Sequence, residues 1–250
     1  MYAGRAPAAR EGPRGSERRR RKFPCRWGCA PNRCRHSRGS TSSADATQHA
    51  VEDEWQRCLL LPGDVTDFAF CEKPVARVVK EFGQLDILVN NAVFQAHAES
   101  LDALSLHHFD LTMRTNLYGY FHMVKAAVPH LEPGSAIVHT GSVTGLMRNK
   151  HLVDYATPKR GIHALTKSLS KTLLPRGIRV NAVAPGPVWT PLNPADADRE
   201  HSPQFGAKVP MRRPAQPEEI SPAYVFLAAP ACSSYISREV LPILGGYRGG

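Results

Sequence analysis

Short apolar segments alternate with longer helical patterns from about residue 45 onward, and this alternation limits the chain to few folds. The segments predicted as strands are 58–61, 85–92, 136–140 and 178–184. The segments predicted as helices are 44–57, 65–82, 109–131 and 155–174. Because the strands are apolar throughout and helices separate them, the pattern predicts a parallel sheet covered on both faces. We therefore expect an α/β fold in which ligands bind at the carboxyl ends of the strands.

The first 45 residues have a different composition and predict a disordered tail before one folded domain at 46–250. Residues 1–40 contain twelve of the 32 Lys and Arg but only two of the 22 Asp and Glu, so the remaining chain is balanced in charge. Frequent Pro and Gly, with no helix or strand periodicity, argue against a buried core there. The net charge of +10 therefore describes the tail, and nucleic-acid binding by the domain is not expected.

The tail allows interpretations other than disorder. The run Arg18–Lys22 fits nuclear import or polyanion binding, and the Arg-rich, acid-poor composition fits a mitochondrial transit peptide. Cys25, Cys29, Cys34 and His36 lack the spacing of a zinc site, so we predict no metal. No apolar run approaches the roughly 18 residues of a membrane span, and we find no secretory signal or Cys-x-x-Cys pair. These features predict a cytoplasmic protein without a membrane segment.

A serine, a tyrosine and a lysine have a spacing that predicts proton-transfer chemistry. Ser142 follows the strand 136–140, Tyr155 comes 13 residues later, and Lys159 lies four residues beyond Tyr155. Helical residues i and i+4 share a face, so the tyrosine and the lysine should face one cavity. A phenol with a pKa of ~10 needs about 4 kcal/mol to titrate near neutrality, which an ammonium about 4 Å away supplies at an effective dielectric of about 20. Tyr155 would then act as a general acid and base.

An exposed helix can carry the same tyrosine and lysine, but further motifs at neighbouring strand ends favour an active site. The stretches 61–65, 85–92, 114–117, 140–142, 155–159 and 178–191 resemble, in order and spacing, the short-chain dehydrogenase/reductase family. The resemblance covers residues 46–250, which is about four-fifths of the chain. Asn90–Gln95 and Pro185–Pro191 further resemble the glucose-dehydrogenase-like and stress-protein branch of that family.

The resemblance implies a Rossmann-like doubly wound parallel sheet and hydride transfer between a nicotinamide cofactor, NAD or NADP, and a small-molecule alcohol or carbonyl substrate. It makes Tyr155 the general acid and base, and Lys159 both the group that lowers the pKa of the tyrosine and a donor to the nicotinamide ribose. Ser142 would orient the substrate carbonyl, and Asn116 would hold a water in a proton relay. A homo-oligomer, either a dimer or a tetramer, is also implied.

Ten residues match the positions at which the family holds its cofactor. They are Asp64, Val65, Asn90, Ala92, Tyr155, Lys159, Pro185, Gly186, Val188 and Thr190. The first two correspond to the adenine side, the next two to the ribose, and the last two to the carboxamide side. The strand-end asparagine and the Pro-Gly pair also fit a simple cap and an ordinary turn.

The sequence departs from the family at its N-terminus, where no Thr-Gly-x-x-x-Gly-x-Gly turn is present. In the family, the backbone amides of that turn hold the cofactor pyrophosphate. Residues 1–43 have about the right length for the first strand-helix-strand unit but the wrong content, so we predict that this unit is missing or altered. An altered reading frame or an alternative exon would explain the change, and the other two frames of the nucleotide sequence would test it.

Pro158 lies inside a predicted helix, where a proline removes a backbone hydrogen bond. If the helix begins at Val153 or Asp154, at most one bond is lost and the lysine still faces the tyrosine. An earlier start would disturb that geometry. Near the C-terminus, Ser237-Arg238 stands where the family has a small Thr-Gly pair.

Three functional hypotheses remain open. The first is the oxidoreductase described above, with Gln95, His151 and Trp189 predicted to line a pocket that fits many carbonyl compounds. The second is a catalytically inactive family member that associates with other subunits through 107–131 and 155–174. The third, a polyanion-binding protein that uses the arginine run, is the least favoured because the domain adds no basic face. The choice between NAD and NADP is not predictable, since it depends on the altered unit.

Overall fold

The computed structural model describes residues 2–4, 43–147, 152–190, 192 and 205–247. One five-stranded sheet lies within these residues, in the order β1-β2-β3-β4-β5. Its strands are β1 (Tyr2–Gly4), β2 (Leu85–Asn90), β3 (Leu131–Thr140), β4 (Arg179–Pro185) and β5 (Val240–Ile243). Strands β2 to β5 are parallel, as predicted, and β1 is antiparallel to β2. The arginine run, the cysteine cluster of the tail and His151 lie outside the described residues.

Helices connect these strands along the chain. They are α1 (Ser43–Glu52), α2 (Phe68–Phe82), α3 (Leu106–Met113), α4 (Gly119–Ala127), α5 (Thr144–Met147), α6 (Val153–Leu173), α7 (Pro217–Ala228) and α8 (Pro230–Ser233). A π-helical turn, Arg114–Tyr118, joins α3 to α4. Single 3-10 turns, Val128–His130 and Leu174–Arg176, follow α4 and α6.

Alternating residues of the strands face two separate hydrophobic cores. Leu88, Ile137 and Val180 pack with residues of α2 and α4 in one core. Val138 and Val183 pack with α7 in the other. Since successive side chains of a strand point to opposite faces, helices cover both sides of the sheet. The predicted Rossmann-like, doubly wound α/β fold is confirmed.

The predicted strand at 58–61 is wrong, because these residues have no regular secondary structure. A strand is maintained by hydrogen bonds to a neighbouring strand. The edge of β2 that faces away from β3 pairs with β1 instead, and no ladder includes 58–61 in the described part of the chain. The strand β1 itself falls in the segment predicted as a disordered tail.

Strand β3 begins at Leu131, earlier than the predicted residue 136. The Pro133-Gly134 pair lies within the strand, where the register with β2 shifts between Leu85 and Ile87. Gly134 has a φ of 96°, a conformation that glycine adopts without a steric penalty. The helical segment therefore ends at the 3-10 turn before β3, and the irregular start of β3 contains the Pro133-Gly134 pair.

Candidate active site

The loop after β3 is held against β4 at the carboxyl edge of the sheet. Gly141 donates its N–H to the carbonyl of Val183 over 2.7 Å. The next residue, Ser142, is buried, and its Oγ accepts hydrogen bonds from the N–H of Thr144 at 3.2 Å and from Thr144 Oγ1 at 3.0 Å. These two bonds use the lone pairs of the serine and not its proton. Ser142 therefore keeps a hydroxyl proton with which it can donate to a ligand oxygen.

Helix α6 begins at Val153, so Pro158 removes one backbone hydrogen bond, the one to the carbonyl of Asp154. Both Tyr155 and Lys159 remain on one face of the helix. The Nζ atom of Lys159 lies 5.5 Å from the centre of the tyrosine ring. The prediction that a helix starting here keeps the lysine facing the tyrosine is confirmed.

Lys159 is only 1% exposed and is surrounded by aromatic and backbone groups. Its Nζ donates to the carbonyl of Thr140 at 2.8 Å and lies 5.6 Å from the ring centre of Tyr120. The hydroxyl of Tyr120 donates to the same carbonyl at 3.2 Å. Burial lowers the pKa of Lys159 to about 7. The ammonium expected to act on the phenol of Tyr155 is therefore fully charged only below neutral pH.

Two buried histidines lie close to this lysine, and the sequence analysis did not predict them. Thr166 donates its hydroxyl to the carbonyl of Ile162, so its Oγ1 accepts from Nδ1 of His139 at 3.0 Å, which fixes the tautomer of that ring. Burial, then the charge of Lys159, lowers the pKa of His139 to about 3. Burial and nearby cations lower the pKa of His163 to about 4. Both rings are neutral at pH 7. The sequence feature that could have revealed His139 is its position inside the apolar strand 136–140.

The glycines of the loop after β3 leave room for one of these rings. A Cβ on Gly141 would lie within 2.4 Å of Nε2 of His163, and one on Gly145 would lie 2.9 Å from its Cε1. Side chains at these positions would push the histidine, and the helix that carries it, away from the sheet. The close packing of α6 on the loop thus depends on both glycines.

Asn116 lies in the π-helical turn, and both ends of its side-chain amide form hydrogen bonds with the loop after β2. Its Oδ1 accepts from the N–H of Phe94 and its Nδ2 donates to the carbonyl of Phe94, both over 2.7 Å. The role implied for Asn116, holding a water, stays a prediction.

The carboxyl ends of β2 and β3 are linked by side chains. Thr140 donates its hydroxyl to Oδ1 of Asn91 at 2.8 Å. Nδ2 of Asn90 donates to the carbonyl of Tyr120 at 3.2 Å, whereas its Oδ1 is buried and has no hydrogen-bond partner among the described residues. An orphaned buried acceptor at this edge is the kind of atom that a ligand or a water satisfies. Ala92 follows, half-buried.

The residues predicted on the adenine side lie beside α4. Oδ1 of Asp64 accepts from the N–H of Thr66 at 2.8 Å, forming a local turn. The carbonyl of the buried Val65 accepts from Nδ1 of His122 at 3.1 Å, so this segment is fixed to the helix. The contact places the predicted adenine positions on the same side of the sheet as α4.

The residues predicted near the carboxamide follow β4. Pro185 ends the strand, and Gly186 donates its N–H to the carbonyl of Ile243 at 2.8 Å. Val188 then forms a parallel bridge with Ala215, and the N–H of Trp189 donates to the same residue. Thr190 and Gln95 are half-buried. A small cavity next to Gly186 is lined mainly by apolar residues and contacts neither the serine nor the tyrosine, so we do not place the substrate there.

These residues fit one end of a dinucleotide cofactor better than the other. At the nicotinamide-ribose end, the lysine ammonium has two N–H groups beyond the one bonded to Thr140, and the buried acceptor of Asn90 lies on the next strand. At the pyrophosphate end the glycine turn is absent from the sequence. Because β1 is antiparallel, its last residue, Gly4, pairs with Ile87 near the amino end of β2, away from the edge that carries Ser142. No amide cradle for phosphate is formed by the described residues.

Comparisons with known proteins agree with this geometry. The sequence model of the family described as enoyl-(acyl carrier protein) reductase matches residues 38–248. The chain belongs to the short-chain dehydrogenase/reductase family. General stress protein 39 of Bacillus subtilis is 45% identical over 203 residues, which span 81% of this chain and 71% of that protein. The predicted glucose-dehydrogenase-like and stress-protein branch is thereby supported.

Two further members of the short-chain dehydrogenase/reductase family carry names that bear on chemistry. Glucose and ribitol dehydrogenase of Daucus carota is 47% identical over 176 residues, which span 70% of this chain and 60% of that protein. A short-chain dehydrogenase of Burkholderia cenocepacia, solved in complex with NADP, superposes with a TM-score of 0.74 at 32% identity, over 81% of this chain and 82% of that one. In the described residues, no helix is long and apolar enough to cross a membrane.

Proposed function

We propose that this protein is an oxidoreductase that transfers a hydride between NAD or NADP and a small-molecule alcohol or carbonyl compound, with Tyr155 as general acid and base. The observation that carries the proposal is the arrangement around the end of β3. Lys159 is buried between two tyrosine rings and bonded to the carbonyl of Thr140, two residues before Ser142. The NADP bound to the Burkholderia relative, and the dehydrogenase activity named for the carrot relative, support this cofactor and substrate class.

When bound, the nicotinamide ring donates or accepts the hydride at the substrate carbon. In the direction of reduction, Ser142 donates its hydroxyl proton in a hydrogen bond to the substrate oxygen and so polarises the carbonyl. Tyr155 transfers its phenolic proton to that oxygen, which balances the arriving hydride and gives the alcohol. In the direction of oxidation, the phenolate takes the proton back. The protein thus supplies orientation and proton transfer while the cofactor supplies the hydride.

The charge of Lys159 connects this proton transfer to pH. Its pKa of about 7 means that the lysine loses its charge as the pH rises through neutrality. Protonated lysine stabilises the phenolate and lowers the pKa of the tyrosine, whereas neutral lysine does not. A polyanionic cofactor would raise the pKa of Lys159 when it binds. We therefore infer that cofactor binding and activation of the tyrosine are coupled.

A catalytically inactive family member is the second candidate, and the N-terminal edge of the sheet favours it. The glycine turn is missing, and the direction of β1 takes the chain away from the edge at which the pyrophosphate would bind. Such a protein would act by associating with other subunits. From the family resemblance we also infer a homo-oligomer, dimer or tetramer, in the cytoplasm, which sedimentation of the purified chain and fractionation of cells would test.

Titration of the purified chain with NADH and NADPH, followed by nicotinamide fluorescence and by the melting temperature, separates the two candidates. The oxidoreductase predicts saturable binding with a raised melting temperature, and then reduction of members of an aldehyde and ketone panel. Tyr155→Phe should lower kcat by about 10²–10⁴-fold. Tyr118→Phe is the matched control, because Tyr118 lies 51% exposed at the end of the π-helical turn. Absence of binding at millimolar cofactor would favour the inactive member.

A further inference from the structure

A carboxylate is buried next to the proposed general acid and base. Asp154 is 1% exposed and precedes Tyr155 in the first turn of α6. The positive end of the helix dipole favours an anion at this position. A buried carboxylate still requires hydrogen-bond donors, since its desolvation is costly without them. Its partners therefore show which element the first turn of α6 depends on.

Those partners lie on α3. Thr112 Oγ1 is 2.9 Å from Oδ2 of Asp154 and 3.0 Å from the carbonyl of His108, one turn earlier on its own helix. The hydroxyl has one proton for two acceptors, and the bond to the charged oxygen is the stronger one. Nε2 of His108 lies 3.1 Å from the same Oδ2, but off the direction that a hydrogen bond requires. Thr112 is therefore the donor that holds Asp154, and His108 lies next to the same carboxylate oxygen.

The same helix also reaches the loop after β2. The rings of His108 and Phe94 pack edge to face, with centres 5.7 Å apart. The π-helical turn that directly follows α3 contains Asn116. The side-chain amide of Asn116 forms hydrogen bonds with the N–H and the carbonyl of Phe94. A continuous set of contacts thus joins the turn that carries Tyr155 to the loop that carries the half-buried Ala92.

Helix α6 has a weakened first turn, which makes this connection more important. Pro158 provides no N–H, so the carbonyl of Asp154 lacks its helical donor. The first backbone bond of the helix, from the N–H of Ala156 to the carbonyl of Leu152 at 2.8 Å, lies directly beside the gap. We propose that Asp154 is a positioning residue, which acts through Thr112 to fix the first turn of α6 and thereby the hydroxyl of Tyr155. Its effect on catalysis rests on the proposed function, whereas the fixing of the turn does not.

Two variants delete or weaken the contact while changing the volume little. Thr112→Val deletes the hydroxyl, and Asp154→Asn replaces the charged acceptor with a neutral one. We expect each to lower kcat about tenfold because Tyr155 is displaced, with the KM for the cofactor unchanged. Thr112→Ser keeps the hydroxyl and should retain kcat within about twofold. The matched controls are Asp110→Asn, which breaks the exposed pair of Asp110 with Arg114, and Thr172→Val, exposed near the end of α6.

Hydrogen exchange at the N–H of Ala156 tests the same contact without any activity. Thr112→Val and Asp154→Asn should accelerate this exchange about tenfold, and the two controls should not. The proposal would be overturned if both variants kept the wild-type kcat and the wild-type rate of hydrogen exchange at Ala156. A fall in kcat matched by loss of cofactor binding in Thr112→Val, with no rescue in Thr112→Ser, would also overturn it, since general unfolding explains that result. Inactive wild-type protein would instead refute the proposed function, and the exchange rates would still decide whether Asp154 fixes the turn.

Discussion

The ends of β3 and β4 differ from the outer edge of β2 in how fully their polar groups are satisfied. At the first region, parallel pairing extends from Ala136 to Thr140, and the last carbonyl of β3 accepts from both Lys159 and Tyr120. At the second, only the three residues of β1 pair with β2, in the antiparallel direction. The residues proposed for catalysis therefore follow β2 in the chain, outside the N-terminal unit that we predict to be altered.

From this difference we infer that proton-transfer chemistry and cofactor affinity are separable in this fold. The groups proposed to move a proton lie on α6 and the loop after β3, within one compact stretch of the chain. The groups that bind a pyrophosphate in the family lie on the first turn, which this sequence lacks. Arginine side chains cannot replace preorganised amides, because ordering long side chains costs free energy at each binding event. We therefore expect changes in the first region to have larger effects than changes at the edge of β2.

The largest effect is expected at Asn116, whose side chain holds the loop after β2. In Asn116→Asp, the carboxylate can accept from the N–H of Phe94 but repels its carbonyl, and the residue is fully buried. We expect the free energy of unfolding to fall by about 4 kcal/mol, measured by urea denaturation. Asn91→Asp is the control: Asn91 is exposed and uses its oxygen to accept from Thr140, so it should tolerate the change. Equal losses in both would show that Asn116 does not hold the loop.

The next effect concerns the buried charge of Lys159. Its folded-state pKa of about 7 lies below the ordinary 10.5, so the unfolded chain binds more protons between these values and stability rises with pH in that window. Between pH 7 and pH 10 the wild type should gain about 3 kcal/mol relative to Lys159→Met. Urea denaturation at several pH values measures the difference. Lys171→Met, exposed on the same helix, should show no such gain. Parallel pH profiles for wild type and Lys159→Met would mean that the lysine keeps its ordinary pKa.

Local periodicity explains which parts of the structure the sequence predicted. Strands β2 and β4 and helix α2 lie close to their predicted positions, because apolar spacing and caps such as Asp67 and Gly83 act within a few residues. The facing of Lys159 and Tyr155 followed from helix geometry alone. These features depend on interactions that can be read from one segment at a time.

The features that were not predicted depend on contacts distant in sequence. Strand β1 has three residues and exists only through its pairing with β2. The π-helical turn adds one residue to a helical pattern without changing its composition. The lowered pKa of Lys159 and the neutral His139 result from burial, which a single sequence does not reveal. The partner of Asp154 on α3 was missed for the same reason.

A smaller effect is expected at Arg238, which stands before β5. Its φ is 75°, in the left-handed region where a side chain is strained and glycine is not. Arg238→Gly should raise the free energy of unfolding by up to about 1 kcal/mol, because relief of strain exceeds the added entropy of the unfolded chain. Lys171→Gly, inside α6, should lower it by a similar amount. If both glycine variants are destabilised equally in urea, Arg238 is not strained.

The smallest effect is expected on deleting Met1–Gly4, which removes β1. The hydrogen bonds of three paired residues are largely offset by the conformational entropy of ordering them, so the loss of stability should be below about 1 kcal/mol. Because β1 leaves β2 at the end away from Ser142, NADH affinity and kcat should equal those of the full chain. Urea denaturation and fluorescence titration of the truncated protein measure both. A loss of several kcal/mol, or of NADH binding, would show that the edge of β2 belongs to the site and that the two regions are not separable.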